Sequence, residues 1–215
     1  MIKISLPRTV TRSFPRLTRS ASFYQDKRWS GTDQRWEMIR SHLDAADGSL
    51  LDIGCNVGTL TRQAAELGLL AYGLDVQKEA IAAAVKTHRG VPGLSFMWLD
   101  STPEALARLP SFDVILCLSV HHYWVRSYGE AESWRMMRTL VEKSRHKLFF
   151  EPASIRSKYG RSPPDIVDLD RQSIMEHTMA RLVDVSGPQR TVTCLGETPC
   201  LGREPFRMLF MVSAG

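Results

Sequence analysis

The chain has 215 residues, of which 43% are apolar, 24% charged and 8% aromatic. That suits one globular domain with a full core, and it excludes disorder, a collagen-like repeat and a coiled coil. No apolar run approaches the ~20 residues of a membrane span, and no apolar stretch follows the early charges as in a secretory signal. The formal charge of +5 is not evenly spread. Residues 1–25 hold Lys3, Arg8, Arg12, Arg16 and Arg19 and no acid, leaving 23 basic and 23 acidic residues in 26–215. The basic start reads in three ways: a transit-peptide composition, a polyanion-seeking arm, or a solvated tail folded over a neutral body. Cys55, Cys117, Cys194 and Cys200 form no C-x-x-C pair and have no histidine at zinc-finger spacing. Reduced thiols and a cytoplasmic location are the expectation.

In chain order, Thr32 to Leu43 predicts a helix, with Trp36, Ile39 and Leu43 at helical spacing. Ser49 to Ile53 predicts a short strand, and a glycine loop leads into a helix over Thr59 to Leu67, stopped by Gly68. A second strand over Leu69 to Leu74 and an alanine-rich helix over Lys78 to Thr87 follow. Leu94 to Leu99 reads as a third strand, Thr102 to Leu109 as a helix capped by Thr102 and Pro103, and Phe112 to Val120 as the most apolar strand. Glu130 to Ser144 predicts a long amphipathic helix and Lys147 to Glu151 a fifth strand. This alternation implies βαβ units and a right-handed, parallel α/β sheet. Residues 152–170, with Pro152, Pro163 and Pro164, read as an irregular loop or lid. A helix over Asp170 to Met179 precedes strands over Arg190 to Leu195 and Phe206 to Val212, which predict an antiparallel hairpin. The division expected is a basic arm or lid at 1–30 and one domain over 31–215.

The glycine loop, Leu50-Leu-Asp-Ile-Gly-Cys-Asn-Val-Gly58, has its glycines at 54 and 58 and Asp52 before them. The middle glycine of a G-x-G-x-x-G loop is missing, which argues against a diphosphate and for a ligand presenting a cation or hydroxyls. Glycine at 54 would let a ligand lie against the backbone. Asp75 closes the second strand, where a carboxylate can accept both hydroxyls of a ribose, and Asp100 closes the third, where an adenine amine could donate to it. Each acid alone reads as a surface residue at a strand end, but three on one edge point to a nucleotide-like ligand.

With these residues in view, the chain resembles the class I S-adenosylmethionine-dependent methyltransferases, chiefly over residues 35–151. Leu51 to Gly58, Gly73-Leu-Asp75, Trp98-Leu-Asp-Ser101 and Phe112 to Tyr123 resemble four successive motifs of that family. The resemblance implies a Rossmann-like seven-stranded sheet, mostly parallel with a C-terminal antiparallel hairpin, and S-adenosyl-L-methionine as cofactor. It places Asp52, Gly54, Cys55, Asn56, Gly58 and Leu118 near the cofactor, Asp75 on the ribose, and Asp100 with Ser101 on the adenine. It also points to the segment Phe23 to Trp29, where Arg28 would hold the cofactor carboxylate and Tyr24 and Trp29 would pack beside it or meet the acceptor.

The acceptor is set by what surrounds the reactive methyl. The fourth strand runs into Leu118-Ser-Val-His-His-Tyr-Trp124, so His121 or His122 is the candidate base for an alcohol, with Tyr123 and Trp124 as acceptor contacts. The plainer reading makes both histidines packing residues. Glu151, at the end of the fifth strand, could orient a histidine, bind acceptor hydroxyls or face solvent. A divalent metal such as Mg2+ held there is compatible with the residue types, but no spacing demands one. At finer grain the chain is similar to bacterial sugar O-methyltransferases that finish polysaccharide chains, namely O-antigen chain-terminating and mycobacterial methylmannose polysaccharide enzymes. It also resembles RNA 5′-phosphate capping methyltransferases. The neutral body favours a sugar or oligosaccharide hydroxyl over an RNA end or tRNA, and a non-catalytic cofactor-binding module is the remaining alternative.

Overall fold

The computed structural model describes residues 29–152, 171–199 and 206–215. Most of the expected arm and all but the first residue of the expected 152–170 loop, with Tyr24, Arg28 and Cys200, lie outside the described residues. Fourteen elements follow in order: α1 (Trp29–Arg40), β1 (Ser49–Ile53), α2 (Thr59–Glu66), β2 (Leu70–Asp75), α3 (Lys78–Thr87), β3 (Leu94–Trp98), α4 (Pro103–Arg108), β4 (Phe112–Leu118), α5 (His121–Tyr128), α6 (Glu130–Lys143), β5 (Ser144–Glu151), α7 (Arg171–Ser186), β6 (Arg190–Pro199) and β7 (Phe206–Ala214).

The seven strands form one sheet in the order β3-β2-β1-β4-β5-β7-β6. β1 to β5 pair in parallel, and β7 runs antiparallel to both β5 and β6. The order reverses between β1 and β4, which opens a crevice at the carboxyl ends of those strands, the usual ligand position in such sheets.

Side-chain alternation divides the core. Leu51, Ile53, Ile115, Cys117 and Phe150 face Trp124, Trp134, Met137 and Leu140 of α5 and α6, and Leu182 of α7. Leu50, Val114, Leu116 and Phe149 face the other way, toward Trp36 and Ile39 of α1 and Ala64 and Ala65 of α2. Strands buried on both faces need continuous apolar runs, as Val114 to Leu118 supply. At the amino edge, the Asp113 carboxylate accepts from the Gly48 and Ser49 amides at 3.1 and 2.9 Å and so ties β4 to the start of β1.

The largest departure from expectation follows β4. β4 stops at Leu118 and a helix starts at His121. Ser119 adopts φ 59°, a left-handed turn that ends the strand. His121 and Trp124, three apart, then both turn inward and are buried. Thr102 caps α4 as expected, accepting the Ala105 amide at 3.2 Å. α7 continues to Ser186, seven residues past its expected end, carried by buried Leu182 and Val185.

Candidate active site

The loop from β1 to α2 is built from three left-handed residues, Gly54, Asn56 and Gly58. A Cβ at Gly58 would lie 2.4 Å from the Phe96 ring, and one at Gly54 would lie 2.5 Å from Val120 Cγ2. Gly54 was expected to make room for a ligand, but its crowded neighbour is the protein's own Val120. The glycine lets the turn after β4 pack onto the turn after β1. The Gly54 and Cys55 amides both donate to the Leu74 carbonyl, at 2.8 and 3.0 Å, which fixes the loop against β2. The Cys55 thiol is buried, and burial pushes its pKa far up, so it stays a neutral packing group.

Two carboxylates meet at this edge. Asp75 is 7% exposed and accepts the Asn56 amide on one oxygen at 2.9 Å and the Gln77 amide on the other at 2.8 Å. Burial still raises its pKa. Asp52 is buried and accepts the Thr61 hydroxyl at 2.8 Å. Burial lifts its carboxyl to about 6, with Asp75 adding repulsion against the relief from Thr61 and Arg35. Neighbouring acids held above their ordinary range make a site that gains from hydroxyl donors or a cation. That fits S-adenosylmethionine, whose ribose brings hydroxyls and whose sulfonium and amine bring positive charge. Asp75 would hold the ribose and Asp52 the cationic end. When bound, this cofactor supplies an electrophilic methyl group.

The raised Asp52 carboxyl has a measurable consequence. Its charged form destabilises the fold, so the cost is absent below the unfolded value of 3.8 and complete above about pH 6. Asp52→Asn should therefore stabilise the fold at neutral pH by about 3 kcal/mol and give no gain below about pH 4. Urea denaturation at both pH values checks this, and cofactor affinity should fall in the same variant.

The other expected residues separate into two groups. Leu118 is buried at the end of β4, and Asp100 is exposed beyond β3. Ser101 accepts the Trp124 indole N–H at 3.0 Å, which ties α5 to the loop after β3. Trp124 is thus a buried strut, not an exposed acceptor contact. Tyr123 is 43% exposed and its ring lies 3.9 Å from that of His122. Trp29 opens α1.

The histidines part company. His121 is buried, its ring centroid 4.4 Å from Trp134 and 5.7 Å from Phe150. Burial, and then the neighbouring His122, push its pKa down to about 3, so it stays neutral and is a poor base. His122, the next residue, is half-buried, with both ring nitrogens shielded from solvent, in the first turn after the Ser119–Val120 bend.

Glu151 is fully buried and committed to packing charge. One oxygen lies 3.1 Å from Arg35 Nε and accepts the Thr198 hydroxyl at 3.1 Å. The other accepts Ser119 Oγ at 2.6 Å and Arg207 at 3.0 Å. Arg207 also donates to the Ser119 hydroxyl. Burial alone would raise the Glu151 carboxyl, but Arg35, Arg207 and the Ser119 hydroxyl together hold it below the usual range. No histidine is among its partners; it clamps α1, β5, β6 and β7 to the bend at Ser119. Sequence reasoning missed Arg35, Ser119, Thr198 and Arg207. Arg207 did carry a signal, since alternation puts it on the buried face of β7 with Leu209, where a cation demands a counter-charge. Among the described residues, no group of three His, Cys, Asp or Glu side chains could hold a metal ion.

Asp52 and Asp75 thus flank the switch-point edge of the sheet, where the turn after β4 packs on the glycine loop. Residues 51–145 match a family model described as a methyltransferase domain. The ubiquinone biosynthesis O-methyltransferase of Nitrosococcus oceani is 35% identical over 88 residues, 40% of this chain and 37% of that protein. The match thus spans well under half the length of that curated relative. Among solved structures, the bifunctional kinase-methyltransferase WbdD is similar over 87% of this chain and 39% of that one, at 21% identity and TM-score 0.64. Magnesium protoporphyrin IX methyltransferase from Synechocystis PCC 6803, solved with bound S-adenosylmethionine, is similar over 94% of this chain and 87% of that one, at 18% identity and TM-score 0.61. The match to the methyltransferase domain model covers a little under half of the chain, and the likeness to the two solved methyltransferases is one of fold. No described helix is long and apolar enough to cross a membrane.

Proposed function

We propose that the protein is an S-adenosylmethionine-dependent O-methyltransferase acting on a hydroxyl of a sugar or oligosaccharide, with His122 as general base. The observation that carries this reading is the placement of His122. It sits in the first turn after the bend that packs on the cofactor loop, while His121 is turned into the core. An alcohol needs its proton removed as the new bond forms, and an imidazole within hydrogen-bond reach can take it. In this assignment Asp75 holds the ribose, Asp52 faces the cationic end, and Tyr123 lies beside the acceptor. The neutral charge of residues 26–215 supports an uncharged acceptor such as a sugar over a polyanion.

A second reading, a phenolic hydroxyl on a quinone-like ring, is favoured by the curated relatives, which are named for ubiquinone biosynthesis. The test is a methyl-transfer screen with labelled cofactor over oligosaccharides, catechols and RNA, at low and high salt. Label on an oligosaccharide at a salt-insensitive rate is the expected result. Label confined to catechols replaces the sugar reading with the phenolic one. Label on RNA that collapses as salt rises overturns both, because phosphate contacts are salt-dependent.

A further inference from the structure

β3 forms one margin of the sheet, and among the described residues no strand pairs with its outer edge. Exposed edges are ordinarily guarded by lysine, proline, a bulge or an inward-pointing charge, because unpaired amides and carbonyls invite another strand. β3, Leu94-Ser-Phe-Met-Trp98, has no charge, no proline and no irregularity in its pairing with β2. The side chains around it are apolar and outward: Leu70 is 53% exposed, Met97 50% and Trp98 59%. α4, the helix that follows β3, has only six residues and packs against α6, so among the described residues it does not cover the outer edge of β3. Trp98 is held in its outward position, its indole N–H donating to the Val76 carbonyl at 2.9 Å and its ring 5.2 Å from the Lys78 ammonium.

The charges flanking the strand say what pairs there. Lys86 and Arg89 precede it, and Asp100 and Glu104 follow it, all exposed. A second copy laid antiparallel brings the basic end of each strand against the acidic end of the other, whereas a parallel copy would align like charges. We propose that two copies of this chain associate about a twofold axis through their β3 edges, joining two seven-stranded sheets into one continuous sheet. The uncharged strand supplies the backbone pairing, Met97 and Leu70 of each copy supply apolar contact on one face, and the flanking charges set the direction.

Analytical ultracentrifugation of the full chain over micromolar concentrations tests the proposal, with amide hydrogen exchange of residues 94–98 in parallel. The expected result is a monomer–dimer equilibrium, with protection of those amides rising with concentration. Met97→Lys places two ammonium groups at the joint and should weaken the dimer by at least about tenfold. Arg89→Glu should weaken it by a smaller, salt-dependent factor. Ser95→Lys, at a second exposed position of the same strand, stands in if Met97→Lys does not fold. A chain that is monomeric throughout overturns the proposal, as does a dimer unchanged by the lysine variant.

Discussion

Glu151→Gln should destabilise the protein by about 3–5 kcal/mol at neutral pH, the usual result of removing one charge from a buried ion pair. The side chain is isosteric, so the loss is electrostatic: Arg35 and Arg207, both largely buried, would keep their charges without the carboxylate they share. Denaturant unfolding at pH 7 measures it. The pH dependence of the unaltered protein supplies an independent check. The Glu151 carboxyl is held below its ordinary value, so its contribution is present above the unfolded value of 4.5 and lost as pH falls through the folded one. The gap between the unaltered protein and Glu151→Gln should therefore narrow as pH falls below 4.5 and through the folded value. A variant as stable as its parent would mean that the cluster is not closed in solution. Because Glu151 also holds Ser119 in its left-handed turn, turnover should fall with stability.

His122→Ala should lower kcat on the true acceptor by about 10²–10⁴-fold, with cofactor affinity and melting temperature little changed. That is the range for removing a positioned base from a proton transfer. His121→Leu should behave in the opposite way. It replaces a neutral ring packed between Trp134 and Phe150, so it should alter stability and leave kcat within a few-fold. Steady-state kinetics with calorimetric cofactor binding separates the two. If His121→Leu stops turnover and His122→Ala does not, the assignment is reversed; if neither slows it, the acceptor needs no base.

Several features were legible without coordinates. The alternation of apolar runs with amphipathic stretches predicts βαβ order, and the strand pair after Arg190 predicts the antiparallel hairpin. Asp52, Asp75 and Asp100 mark one sheet edge because each lies within two residues of the end of a short apolar strand, a local property. The sequence does not separate His121 from His122, because nothing in it marks the end of the strand before them. The apolar run ending at Val120 looks like continuous strand, and the bend at Ser119 has no glycine or proline to announce it. Once the chain turns there, helical spacing puts His121 on the inward face with Trp124, and His122, about 100° further round, is left half-buried.

The basic surplus, the alternation of strands and helices along the chain and the row of acids are thus properties of the sequence itself, since composition and short-range periodicity decide them. Tertiary structure alone decided the roles of Glu151, Arg35, Arg207 and Trp124. Their partners lie 23 to 116 residues away along the chain, or on different elements altogether. A carboxylate at a strand end reads the same whether it faces solvent, a ligand or two arginines. Only packing brings the arginines of α1 and β7 to one buried point, and desolvation there turns a candidate catalytic acid into the clamp that shapes the site.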